Sequence, residues 1–296
     1  ELIFDDLQAD PAIVAHTPVS VKRLDTFNLP RLKPRPRTAH KGMFGRVLVL
    51  GGDLGFGGAA LLATESTLRS GAGMVTLATR PEHVSAALAR IPEVMSAGIR
   101  SANQLMGLIE PASVLVVGPG LGQHAWGRSL LSAAASAERA QVWDADALNQ
   151  LAAGHVQLPK DCVITPHPGE AARLLGVSTQ EIQADRPAAA RALAKKYDAV
   201  CVLKGSGSLI ASPSGELALA DHGHPAMATG GLGDVLAGLI GALLAQKMPA
   251  FEAACLGVWL HALAGEKCGA SGRGMAAADL IPEIRKLLEE QQPCLS

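Results

Sequence analysis

The sequence predicts an α/β fold in which a mostly parallel central sheet is flanked by helices on both faces and extended by a β-hairpin. Three observations lead there. Short β-branched runs alternate with helical stretches from residue 46 onward, the pattern of βαβ units buried on both sides. Almost every such run ends in Gly, Pro, Asp or His. Residues 209–220, "LIASPSGELALA", instead read as two short strands around "SPSG". In order, the expected strands begin "RVLVLGG" (46–52), "MVTLATR" (74–80), "SVLVVGPGLG" (113–122), "QVWDADALN" (141–149), "CVITPHPGE" (162–170) and "AVCVLKGSG" (199–207), with a helix over about 58–69. In open α/β sheets ligands bind beyond the carboxyl ends of the strands, so these polar endings should line one crevice.

Composition narrows the function. The chain has 296 residues, 48% hydrophobic and 18% charged, which fits a large buried core and excludes a disordered or coiled-coil chain. Lys+Arg at 26 nearly balance Asp+Glu at 27, so no global field attracts nucleic acid or anionic lipid. Any phosphate must be held locally. Five scattered cysteines without a CxxC pair read as reduced, mostly buried thiols of a cytoplasmic protein. The apolar runs "VLAGLIGALLA" and "AACLGVWLHALAG" fall short of the roughly 18–20 residues a membrane span needs. The opening "ELIFDDLQAD" is acidic where a signal peptide carries a basic region. Residues 30–41, "PRLKPRPRTAHK", with three prolines and five Lys/Arg, read as a linker or edge segment, with the main domain after it.

The stretch "TGGLGDVLAGLIGALLA" carries the strongest chemistry. After Asp234 the apolar residues follow helical spacing and the remaining positions are Gly or Ala, so the helix is expected to be buried on every side. Its N-terminus offers unpaired N–H groups and partial positive charge to an anion. An aspartate there serves either as a helix cap or as a base that takes a proton from a hydroxyl while the adjacent amides hold the phosphoryl group under attack. In "TPHPGEAARLLG" (165–176), His167 and Glu170 share a face; Thr165 is the expected cap, and Glu170 either favours the helix dipole or orients a magnesium-bound water. In "WDADALN", Asp144, Asp146 and Asn149 carry the same choice between capping and ligand binding. "LKGSGS" (203–208) ends a strand with a lysine and two glycines, either a main-chain grip on a nucleotide or a hairpin entry with a solvated lysine. "GPGLG" (118–122) is a weaker signal. "GGDLGFGGA" (51–59) lacks the GxGxxG spacing, and the absence of a Gly-Lys pair excludes a Walker A loop.

Together "GPGLG", "TPHPGE", "LKGSGS" and "GGLGD" resemble the ribokinase-like superfamily, and with "HKGMFGRVLVLGG", "RSGAGMV" and "DADALN" the chain is similar to the ADP/ATP-dependent NAD(P)H-hydrate dehydratases over about residues 38–290. The resemblance implies a ribokinase-like dehydratase domain over 38–296, and a tail or linker over 1–37 that follows an epimerase domain on the same polypeptide. It implies repair of NADHX and NADPHX with ADP (ATP possible) and Mg2+, in a homo-oligomer that binds neither nucleic acid nor membrane. Asp234 would be the catalytic base and contact the hydrate together with Ala59, Gly120, Gly122 and His167. Lys204, Gly205, Ser206, Gly207, Ser208, Gly231 and Gly233 would hold the nucleotide, and Glu170 the metal through water. Met43 stands where the family has Asp, and "GHPAMA" replaces the family's "GNxGMA" at His224 and Ala226, which should affect contacts at the rim. A small-molecule kinase of the same fold and a non-catalytic nucleotide-sensing module are the rival readings.

Overall fold

A computed structural model describes Asp10, Ala12, Ile13 and residues 20–295. Among them ten strands form one sheet: β1 Lys22–Arg23, β2 Arg46–Leu50, β3 Met74–Thr79, β4 Met95–Gly98, β5 Val114–Val117, β6 Ala140–Trp143, β7 Cys162–Ile164, β8 Val200–Leu203, β9 Ser208–Ala211 and β10 Leu217–Ala220. Their spatial order is β1-β10-β9-β8-β7-β6-β5-β2-β3-β4. From β4 through β8 all neighbours are parallel; β9 and β10 form the expected antiparallel hairpin. The helices are α1 Gly57–Arg69, α2 Val84–Arg90, α3 Ala102–Ile109, α4 Ala125–Ala135, α5 Asp146–Ala152, α6 Pro168–Leu175, α7 Thr179–Ala184, α8 Arg186–Tyr197, α9 Leu232–Ala245, α10 Ala250–Gly269 and α11 Leu280–Gln291.

The pleat divides the core in two. In β2, Val47 and Val49 face a cluster built with α1, α9, α10 and α11, while Leu48 and Leu50 face one built with α3, α4, α5, α6 and α8. Alternation of side chains along a strand makes a continuous apolar run fit a sheet covered on both faces. Helix α9 is buried from Val235 through Ala245, as its all-apolar sequence requires. Its backbone packs so closely on α1 that a Cβ at Gly238 would lie 2.1 Å from the carbonyl oxygen of Ala63.

The expected tail over 1–37 lies partly outside the described residues. Where it is described, the segment packs against the domain. Lys22–Arg23 pairs with β10, Leu24 and Leu29 enter the core, and the Leu32 N–H donates to Gln292 at 2.8 Å. The Arg35 guanidinium lies over the Phe44 ring and bonds Gln246. Prolines exclude regular structure from 30–37 without preventing a fixed path.

The strand order reverses at β2, with β3 and β4 on one side and β5 through β8 on the other. That switch point opens a crevice beyond the carboxyl ends of β2 and β5. The loops there are stitched together: the Gly52 N–H donates to Pro119 O at 3.0 Å and the Asp53 N–H to Gly120 O at 2.6 Å.

Candidate functional site

The site is assembled from the ends of β5, β6, β7 and β8 and the start of α9. Gly231 is the N-cap of α9 and takes a left-handed φ of 91°, the conformation glycine adopts without penalty. Asp234 therefore stands in the first turn and makes no capping bond, so the cap alternative is overturned. The N–H groups of Gly230, Gly231, Leu232, Gly233 and Asp234 donate to nothing among the described residues. Five consecutive donors without acceptors at the positive end of a buried helix have the geometry of an anion hole. The Asp234 carboxylate, half-buried beside them, accepts no hydrogen bond among the described residues. Burial first, and then repulsion by Asp144, raise its pKa to about 7 although Lys204 pulls it down.

Lys204 is the local counter-charge. Its Nζ lies 2.7 Å from Asp144 Oδ1 and 3.9 Å from Glu170 Oε2. Burial lowers its pKa, but Asp144 and Glu170 outweigh that and the net shift is upward, keeping it an ammonium. The solvated-lysine alternative is thereby corrected: the strand end delivers Lys204 into a cluster of acids. Added to Gly233, a Cβ would sit 3.1 Å from Lys204 Nζ and 3.2 Å from Asp144 Oδ2, so the anion hole lies directly against this pair. Asp144 is almost fully buried at the end of β6.

Ala145, with φ 48°, is the N-cap of α5, so neither flanking acid caps that helix. Asp146 instead accepts from the Gly122 N–H at 2.9 Å and from Gln123. His167, not Thr165, caps α6: its Nδ1 accepts from the Gly169 N–H, while the Glu170 carboxylate accepts from the His167 N–H at 2.9 Å. Thr165 spends its hydroxyl on Trp143 O. Burial, then Lys204 and Arg173, lower the His167 pKa and keep its ring neutral. Burial also raises the Glu170 carboxyl well above the usual range, against the pull of Lys204.

Ala59, in the first turn of α1, borders Gly120: a Cβ at Gly120 would be 3.3 Å from that of Ala59. Lys204 and Gly205 enter the loop after β8, where the N–H groups of Gly205, Ser206 and Gly207 have no acceptor among the described residues. The Ser208 hydroxyl donates to Gly205 O at 3.2 Å. Asp144, Asp146, Glu170, Lys204 and Asp234 thus form one electrostatic cluster. The amides of the 205–207 loop and the Ala59–Gly120 corner border it rather than join it.

Sequence reasoning left Asp144 undecided and passed over Asp53 and Arg80. Asp53 is buried and pairs with Arg80 at 2.7 Å, tying the loop after β2 to the end of β3. The available signal was an acid directly after an apolar strand, since a buried charge needs a partner. Among the described residues no three His, Cys, Asp or Glu side chains converge to hold a metal. Magnesium binds through one or two carboxylates plus phosphate oxygens and waters, so the acids Asp144, Asp146, Glu170 and Asp234 suit it only as single ligands or through water, not as a closed cage. Of the departures, Met43 is exposed. His224 accepts from the Ala226 N–H at 3.1 Å and lies against Gly269, fixing the segment before the anion hole.

All five cysteines are free, and three are buried. No helix among the described residues is long and apolar enough to cross a membrane.

Residues 47–286 match the NAD(P)H-hydrate dehydratase family. The chain is 47% identical over 261 residues to the bifunctional NAD(P)H-hydrate repair enzyme of Coxiella burnetii, covering 88% of this chain and 53% of that protein. It is 39% identical over 269 residues to the ADP-dependent (S)-NAD(P)H-hydrate dehydratase of Neisseria meningitidis, covering 86% of this chain and 88% of that protein. The chain thus spans about half the length of the bifunctional relatives. Among solved structures, a ribokinase-like superfamily protein of Enterococcus faecalis superposes with a TM-score of 0.86 at 29% identity, covering 94% of this chain and all of that one. The ADP/ATP-dependent NAD(P)H-hydrate dehydratase of Bacillus subtilis, co-crystallized with ATP/Mg2+, superposes with a TM-score of 0.78 at 27% identity, covering 90% and 99%.

Proposed function

The chain belongs to the NAD(P)H-hydrate dehydratase family and has its ribokinase-like fold; from that premise we propose that it dehydrates (S)-NADHX and NADPHX to NADH and NADPH, converting ADP to AMP and phosphate. One arrangement carries the mechanism: a half-buried carboxylate, its pKa raised to about 7 by burial, beside five consecutive N–H groups at a helix N-terminus, with neither the carboxylate nor the amides hydrogen-bonded among the described residues. A base is most useful with its pKa near the working pH.

In this reading Asp234 accepts the proton of the C6 hydroxyl as that oxygen attacks the terminal phosphorus of ADP and the bond to AMP breaks. The amides of residues 231–233 hold the migrating phosphoryl group where its charge develops. The ring nitrogen's lone pair then expels phosphate from C6, and loss of a proton from C5 restores the dihydronicotinamide. Ala59, Gly120, Gly122 and His167 contact the hydrate, while Lys204, Gly205, Ser206, Gly207, Ser208, Gly231 and Gly233 hold the nucleotide. Glu170 would hold a bound magnesium through water, and the metal would supply charge neutralisation at the phosphates.

ADP as donor is supported by the name of the Neisseria relative, and the Bacillus neighbour was crystallized with ATP. We extend the reading to a cytoplasmic homo-oligomer, and to an epimerase domain on the same polypeptide, the last supported by relatives that are named bifunctional and are about twice as long as this chain. The test is incubation of purified protein with hydrated NADH, ADP and magnesium. Return of the dihydronicotinamide absorbance with stoichiometric free phosphate is expected; a stable phosphoester would establish the kinase reading instead. Turnover with ATP at least tenfold above ADP would reverse the choice of donor.

A further inference from the structure

The loop after β8 is held from behind by a residue outside every motif above. Arg186 is the first residue of α8, and its backbone is fixed from both sides. Asp185 caps the helix by accepting from the Ala188 N–H at 2.9 Å, and Pro187 follows in the first turn. From this base the guanidinium reaches three carbonyls of the loop. Nη1 donates to Ser206 O at 2.6 Å, and Nη2 makes longer contacts with Leu203 O at 3.4 Å and Lys204 O at 3.5 Å. Gly205 passes so close that an added Cβ would lie 2.7 Å from Nη2, and its φ of 151° falls where side chains are rarely tolerated.

The consequence is a sorting of polarity. Arg186 occupies the carbonyls of Leu203, Lys204 and Ser206, and the Ser208 hydroxyl occupies that of Gly205. What the loop has left to offer is the N–H groups of Gly205, Ser206 and Gly207, the polarity that phosphate and ribose oxygens require. A planar fork suits several carbonyls at once, whereas an ammonium is a point donor. The Arg186 Nε is buried with no hydrogen-bond partner, a penalty that proteins tend to retain at functional sites.

We propose that Arg186 is a positioning residue for the nucleotide, its guanidinium holding the 204–208 loop with its amides free to bind ADP. The inference rests on the reading of that loop as the nucleotide subsite.

The experiment compares parent, Arg186→Lys, Arg186→Gln and Arg186→Met. It measures ADP binding by calorimetry in the presence of magnesium, separate KM values for ADP and hydrate, and thermal midpoints. Expected are a rise of at least tenfold in Kd and KM for ADP in all three variants, a KM for hydrate within twofold, and a loss of less than threefold in kcat at saturating ADP. Lysine should fail to rescue because it cannot span three carbonyls. Folded variants that bind ADP within twofold of the parent overturn the proposal, as does a lowered midpoint with both KM values unchanged, the signature of a purely structural role. Should glutamine prevent folding, Arg186→Lys, which keeps the charge and most of the apolar stem, tests the same contacts. A parent that binds no ADP would remove the nucleotide reading itself, whereas a parent that binds and variants that bind equally would remove only the role of Arg186.

Discussion

Two glycine-rich turns face the crevice and do opposite things. In the turn over 118–122 the protein consumes most of its own amides: Gly118 N–H donates to Leu50 O, Leu121 N–H to Gly118 O, and Gly122 N–H to Asp146, and that of Gly120 alone is left without an acceptor among the described residues. Its glycines are there for close approach, since a Cβ at Gly118 would sit 1.8 Å from Asp144 O and one at Gly120 2.5 Å from Phe56 O. In the turn over 230–234 all five amides are left without acceptors among the described residues. Glycine content alone therefore does not mark a turn built for an anion. A run of free donors at a helix start does, and the second turn sets beside them a carboxylate whose pKa burial raises to about 7.

The sharpest way to break this contrast is Asp234→Asn. Asparagine caps helices about as well as aspartate, and Asp234 makes no capping bond, so a local structural role predicts no loss of rate. As the general base its loss should lower kcat by about 10²–10⁴-fold. Steady-state kinetics on a variant that still binds ADP and hydrate decides it; turnover within about threefold of the parent would leave Asp234 without a catalytic role.

A crossed pair tests the glycines themselves. Gly207→Val places a side chain on the loop whose amides are free and should weaken ADP binding by about tenfold or more, because close approach needs a bare Cα. Gly118→Ala meets the Asp144 carbonyl at a φ of 120°, and should lower stability by about 2–4 kcal/mol while the folded fraction keeps the parent's KM for ADP. Denaturant unfolding and ADP titration of both variants separate the two kinds of turn. Equal effects on ADP affinity would erase the distinction.

Much of this was legible in the chain. β2, β5 and β8 announce themselves as β-branched runs, and the Gly-Asp before an apolar helix marks the anion hole. β4, "MSAG", has almost no strand propensity and exists because β3 offers it an edge. β1 is two charged residues set in place by pairing with β10 and by the Arg23–Asp221 ion pair. The Asp144–Lys204 pair joins residues 60 apart, and Arg186 meets its loop only after α8 and β8 have packed. Such contacts are products of topology, invisible to local pattern. His167 displaced Thr165 as cap because the strand ends one turn earlier than the helix begins, leaving Thr165 to bond Trp143 O.

The charge of the second turn can be read from pH. With Asp234 required as a carboxylate, kcat/KM should rise with pH and level off above about 7, falling roughly tenfold per pH unit below it. A profile already flat from pH 5 upward would mean that the base ionises in the ordinary carboxylate range.

The smallest effect is on stability, and its sign follows from the same displacement. In the folded protein Asp234 keeps its proton to about pH 7, against an ordinary value of 3.8. Between those values the folded state holds a proton that the unfolded state has released, so this group's contribution to stability falls as pH rises through the window and is constant above it. The full displacement corresponds to about 4 kcal/mol as an upper bound, and partial solvent access should leave about 1–2 kcal/mol. Asparagine carries no charge to desolvate, so Asp234→Asn should be more stable than the parent, and by more at pH 8 than at pH 5. Urea unfolding of both proteins at the two pH values measures the difference. An equal gain at both would trace it to something other than the buried carboxylate.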